Sequence, residues 1–170
     1  MGVDSVVRRS YPIFFAFVFC FSVITLAISG WLVARFNSHH NYRSKGERDR
    51  VRYFLFVSSW TVLLLPFLMT LFMIARNSIG ASVLSHVVFL FVTWVFWLTA
   101  SAALTEALGG GLNCSTNTLF RYCGQLNALV AFGWINWVFL SFALFVALLL
   151  GIRTIKRGDG YGGSLVASPT

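Results

Sequence analysis

Four uncharged apolar stretches, about residues 11–33, 53–74, 79–104 and 126–152, take up most of this 170-residue sequence. At 1.5 Å rise per residue, each is long enough to cross about 30 Å of hydrocarbon as an α-helix. None contains Lys, Arg, Asp or Glu. Lipid offers no partner for a free N–H or C=O, so a spanning segment has to satisfy its backbone internally. The expected fold is therefore all-α, an antiparallel four-helix transmembrane bundle. The segments outside lipid are residues 1–10, 34–52, 75–78, 105–125 and a tail at 153–170, none of them large enough for a soluble catalytic domain.

A composition of 58% hydrophobic and 11% charged residues fits that reading. The first stretch follows Arg8 and Arg9, but it is longer than the apolar region of a cleaved signal and no small-residue cleavage pattern follows Trp31, so it is expected to stay in the mature protein. The formal charge of +8 lies at the membrane surfaces. There Lys and Arg suit anionic headgroups, with Arg8, Arg9, Arg153, Lys156 and Arg157 as the candidate contacts, and nucleic acid is not implied. The tail starts basic and becomes Gly-rich, which reads as a surface-bound stub with a flexible end.

Helices in lipid associate through close packing at small residues and through interhelical hydrogen bonds. Ala100 and Ala103 in the third stretch, and Ala128, Ala131, Gly133 and Asn136 in the fourth, are the candidate packing positions. Pro12 suits a first helical turn, whereas Pro66 falls inside the second stretch and should kink it.

Orientation is a contest between two signals. Arg8, Arg9, Arg76, Arg153, Lys156 and Arg157 lie on one side, and Arg35, Arg43, Lys45, Arg48, Arg50, Arg52 and Arg121 on the other, so the positive-inside rule does not decide. The 105–125 loop carries Cys114, Cys123 and the sequon Asn113-Cys114-Ser115. A disulfide and a glycosylation acceptor both belong to an oxidising compartment, which places both termini in the cytosol. The alternative is a pair of reduced thiols facing the cytosol. A bridge between Cys114 and Cys123 would contribute about 2 to 3 kcal/mol on a chain-entropy argument. A cysteine in the middle of the sequon works against modification of Asn113.

All six tryptophans fall in the helix halves nearer residues 34–52 and 105–125, so they segregate to one leaflet. Counting from the helix ends sets Trp97 level with Trp134 and Trp94 level with Trp137, and each pair within a helix is spaced i, i+3 on one face. The two readings are an aromatic packing layer or interfacial belt, and a lipid- or sterol-binding surface in the outer leaflet.

Reactive chemistry is sparse. Ionisable groups inside a membrane mark function by default, and His86 is the one such residue in the four stretches. An imidazole alone makes neither a metal site nor a proton relay, and the His39-His40 pair has no nearby third ligand. No nucleophile elbow, phosphate loop or zinc-protease spacing is present. Catalytic, metal and cofactor sites are thus not expected, and a non-enzymatic role is. A transporter would show paired broken helices or midplane charges. A channel would need several copies, with Glu106 as a candidate acidic ring.

The run Cys123-Gly-Gln-Leu-Asn-Ala-Leu-Val-Ala-Phe-Gly-Trp-Ile-Asn-Trp, with Gln125, Ala128, Ala131 and Phe132 at its entrance, leads from a cysteine-bearing outer loop into the last stretch. Together with four spans, this resembles MARVEL-domain membrane proteins, in particular the small fungal ones, over nearly the whole chain. His86 stands where such sequences often carry an acidic residue near the start of the third helix. The resemblance implies membrane apposition, lateral organisation of plasma-membrane domains or trafficking, by association with itself, with lipid or sterol, or with other integral membrane proteins. An oligomeric channel or transporter, and an accessory subunit of a membrane-bound polysaccharide or lipid synthase, are the alternatives.

Overall fold

The computed structural model describes residues 3–39, 44–74, 83–111, 114 and 121–156, with side chains at 13–38, 44–67, 70, 87–111, 114, 121–149 and 152. Four helices carry the described chain: α1 (Val3–His39), α2 (Lys45–Ile74), α3 (Val83–Leu108) and α4 (Cys123–Lys156). Each packs on its neighbours in sequence, and α4 closes the ring on α1. The stretches Ile13–Ser38, Val87–Leu108 and Cys123–Leu149 are each long and apolar enough to cross a membrane. The remaining helix, α2, opens on the charged run Lys45-Gly-Glu-Arg-Asp-Arg, which lowers its average hydropathy.

The helices outrun the apolar stretches because the charged residues beyond the lipid remain good helix formers. At 1.5 Å per residue, the 37 residues of α1 reach about 55 Å, well past the hydrocarbon. Pro12 consequently lies inside α1, not in its first turn. Pro66 is carried within α2 with its ring on the exposed face. The connection at residues 75–78 and the start of the third stretch, residues 79–82, fall outside the described residues.

Local chemistry sets two of the ends. The Ser44 hydroxyl accepts from the Glu47 N–H at 3.1 Å, the Ser-x-x-Glu arrangement of a capping box, and starts α2. At the other end of α3, Gly110 N–H donates to the Thr105 carbonyl (2.9 Å) and Gly109 N–H to that of Glu106 (3.1 Å). With φ of 74° and 103° at Gly109 and Gly110, this is a Schellman stop that favours glycine at both positions.

The interior follows a spacing that hydropathy conceals. The buried positions of α1 are Phe15, Val18, Ser22, Thr25, Ser29, Leu32 and Phe36; those of α4 beyond its first residue, the buried Cys123, are Leu126, Leu129, Gly133, Asn136, Leu140, Ala143 and Ala147. Both series alternate steps of three and four, the period of a coiled-coil seam. In the middle of the seam the residues are small or polar: Ser22, Thr25, Ser29, Ser58, Thr61, Thr93, Ser101 and Asn136 are all buried. The outward face carries Phe17, Leu63, Phe67, Phe142 and Phe145, more than 45% exposed. The bundle is apolar outside and partly polar inside, the reverse of a soluble helix bundle.

Gly133 marks a close approach between helices. A Cβ placed there would stand 2.6 Å from Ser101 Oγ and 2.8 and 2.9 Å from the edge of the Phe54 ring, which crosses the bundle from α2. Gly124, one helix end away, has nothing within 4 Å of the same position. Gly133→Ala is therefore expected to destabilise the bundle by about 1 to 3 kcal/mol through overpacking, with Gly124→Ala near neutral, as read by unfolding in detergent.

Candidate functional site

Hydroxyl groups on the seam tie the helices together. Ser58 donates to Thr25 Oγ1 at 3.2 Å, joining α2 to α1, and Tyr53 and Thr99 share a bond of 3.0 Å between α2 and α3. Most of these hydroxyls also bond a carbonyl one turn back on their own helix, as Thr25, Ser58 and Thr61 do. A hydroxyl satisfied in that way can sit in an apolar bundle and still accept from a neighbour.

The tryptophans use that spare acceptor. Trp97 Nε1 donates to Thr61 Oγ1 (3.0 Å), Trp60 Nε1 to Thr93 Oγ1 (3.4 Å), Trp94 Nε1 to Ser141 Oγ (2.7 Å) and Trp134 Nε1 to Thr105 Oγ1 (3.1 Å). Each bond crosses between adjacent helices, so α2, α3 and α4 are stitched pairwise by indoles. The placement of Trp97 corrects its assignment to a lipid surface: it is 0% exposed and sits edge-on to Phe54 in the core. Its i, i+3 position relative to Trp94 puts the two on neighbouring sides of α3, and only the inward one reaches α2. Level with each other, Trp94 and Trp137 do meet, with ring centroids 5.7 Å apart, and Trp137 lies edge-on to Trp134 at 5.6 Å.

Trp94, Trp134 and Trp137 thus form a half-buried cluster on the α3–α4 side, extended by Phe91, which is 53% exposed and stacks on Trp94. A second aromatic column, Phe14, Phe17, Phe21, Phe132 and Phe139, runs along the groove between α1 and α4. A third patch, Tyr53, Phe56, Trp60, Phe89 and Phe96, lies between α2 and α3, with Phe56 at its exposed edge. These three surfaces, with the exposed aliphatics beside them, are what the bundle offers to lipid or to another helix.

The loop end of the bundle is braced by ion pairs and a covalent bond. Arg50 lies 3.7 Å from Glu106, linking α2 to the end of α3, and Arg48 and Arg52 flank Asp49. Arg52 also donates to Asn37 of α1 at 3.0 Å. Exposed pairs of this kind contribute roughly 0 to 1 kcal/mol each. Trp31 stacks edge-on to Tyr122 and lies under the Arg35 guanidinium, 5.4 Å from its ring. Cys114 and Cys123 form a disulfide with Cα atoms 5.7 Å apart, and Asn127 Nδ2 donates to Cys114 Sγ at 3.6 Å, tying Cys114 to the start of α4.

Among the packing candidates, Ala100, Gly133 and Asn136 occupy the seam. Ala103 and Ala128 are half-buried, and Ala131 is exposed. Arg8 and Arg9 belong to α1, and Arg153 and Lys156 to α4, while their side chains, that of His86, and the whole of Asn113 and Arg157 lie outside the described residues. Among the described residues no three His, Cys, Asp or Glu side chains gather as a metal site. The residue-by-residue reading missed the hydroxyls that receive the indoles, Thr61, Thr93, Thr105 and Ser141. The 22-25-29 spacing of Ser and Thr marks the inward face of α1 in the sequence, but which hydroxyl meets which indole depends on which helices are neighbours.

Removing the acceptor of a buried donor costs more than the bond itself contributes. Thr61→Val is expected to lower stability by about 1 to 3 kcal/mol by stranding the Trp97 indole N–H, whereas Thr99→Val, at an exposed position, should cost under about 1 kcal/mol. Unfolding in detergent followed by tryptophan emission measures both.

The chain matches the model of the MARVEL family, a membrane-associating domain, over residues 9–149. No curated protein and no solved structure gives a significant match. The family match covers all four helices from Arg9 to the last turns of α4, and the chain belongs to the MARVEL family of membrane-associating proteins.

Proposed function

We propose that this protein is a non-enzymatic organiser of membrane, acting in lateral membrane domains, membrane apposition or trafficking through self-association and contacts with lipid or sterol. The observation that carries the reading is the distribution of aromatic surface: rings project from all four helices in three patches, while most polar groups turn inward and hold the helices together. A surface of that kind meets acyl chains, a rigid sterol face or a partner helix equally well by shape and dispersion. The basic ends of α1 and α4 add attraction to anionic headgroups. The plasma membrane is the proposed location.

Both termini are proposed to face the cytosol, because a disulfide between Cys114 and Cys123 persists in an oxidising compartment.

Extraction into native nanodiscs followed by mass determination should give multiples of the 19.0 kDa chain carrying bound lipid or sterol. A single stoichiometric partner of different sequence would instead make the chain an accessory subunit, and ion flux in liposomes would make it a channel. For orientation, an impermeant maleimide added to intact cells should label Cys114 and Cys123 after reduction. Labelling that needs the cytosolic side opened would reverse the topology.

A further inference from the structure

We propose that the centre of the bundle is a binding site for internal water, held by Asn136 of α4, Ser101 of α3 and Ser22 of α1. All three side chains are 0% exposed. Ser22 Oγ, Ser101 Oγ and both Asn136 Nδ2 and Oδ1 have no hydrogen-bond partner among the described residues. They differ in this from Thr25, Ser58 and Thr61, whose hydroxyls are satisfied by the carbonyl of the preceding turn.

Their placement brings them to one level. Ser101 Oγ lies 2.6 Å from the Cβ position of Gly133, which is one turn from Asn136 on the same face of α4. On the other side, the Phe21 ring touches both Phe132 and Phe139, at 5.9 and 5.7 Å. That sets residues 21 and 22 of α1 opposite the midpoint of 132–139, where Asn136 sits, and Ser22 faces inward. Three helices therefore point unpaired polar groups into the same stretch of interior.

A carboxamide has two donors and an acceptor with two lone pairs, and each hydroxyl can both donate and accept. Leaving them unpaired in an apolar medium is strongly unfavourable, and the surrounding hydrocarbon provides no solvent from outside the bundle. A buried water needs two to four polar partners, which this set supplies, and neutral amide and hydroxyl groups without a carboxylate suit water and not a cation. The side chains that Ser22 and Ser101 bring to this level are short. The water bridges α1, α3 and α4, in the layer where no tryptophan bond joins α4 to α1.

The test is water-edited solid-state NMR on the full chain in lipid bilayers, with 15N-asparagine and 15N-leucine and with the Asn136 side-chain signal identified by its loss in Asn136→Leu. Magnetisation from water should reach the Asn136 amide with an initial build-up within about twofold of that at exposed Asn37. Combining Ser22→Ala with Ser101→Ala should cut that initial rate at least twofold. Build-up at Asn136 no faster than at the apolar interior, such as Leu140, overturns the proposal, as does a rate unchanged in the double variant. If the double variant does not fold, the comparison of Asn136 with Asn37 and Leu140 in the unaltered chain decides alone.

Discussion

Helices dissolved in hydrocarbon gain nothing from hiding apolar side chains from lipid, so the attraction that holds this bundle together has to come from close packing and from polar groups turned inward. The seam that alternates steps of three and four on α1 and α4, and continues through Phe54, Ser58 and Thr61 on α2, provides both. Small residues allow close packing, as at Gly133, and hydroxyls accept the indole N–H groups of Trp60, Trp94, Trp97 and Trp134. Because the buried polar groups are spent inside, the outward faces are left almost wholly apolar, with Phe17, Leu63, Phe67, Phe142 and Phe145 at the surface. The surface that meets the membrane is a consequence of how the core is built.

The number of helices and their approximate places were legible from the missing charges alone. Their ends were not, because hydropathy marks the edge of lipid and not the edge of a helix. Arg8 and Arg9 at one end of α1 and Arg35 at the other are helical residues outside the apolar stretch. The signals for two ends were nonetheless written in the chain, as Ser44 three before Glu47 and as Gly109-Gly110. Which face turns inward was harder to read. Residue size singled out Gly133, but size alone did not separate buried Ala100 from exposed Ala131. The face becomes readable once Gly133 and Asn136 are taken with Leu126, Leu129, Leu140, Ala143 and Ala147 as one series.

The tryptophans show why the candidate surface was only partly visible. Indoles segregated to one leaflet suggest an interfacial belt, and a belt and a set of interhelical ties have the same sequence signature. The difference lies in the hydroxyls opposite them, which depend on which helices are neighbours. Trp97 is committed to the core; Trp94, Trp134 and Trp137 do both jobs, each holding a neighbouring helix or ring while leaving part of its own ring at the surface. Membership in a membrane-associating family agrees with a molecule whose substance is its spanning helices. In the proposed role, activity resides in what those outward faces touch.

The account stands or falls on which face of α4 meets lipid. A nitroxide scan of residues 133–149 in liposomes, read by collision with membrane-dissolved oxygen, measures this directly. The expected profile has maxima at Ile135, Val138, Phe142, Phe145 and Leu149, and minima at Gly133, Asn136, Leu140, Ala143 and Ala147. A profile without helical periodicity, or with Asn136 and Ala143 at its maxima, would contradict it.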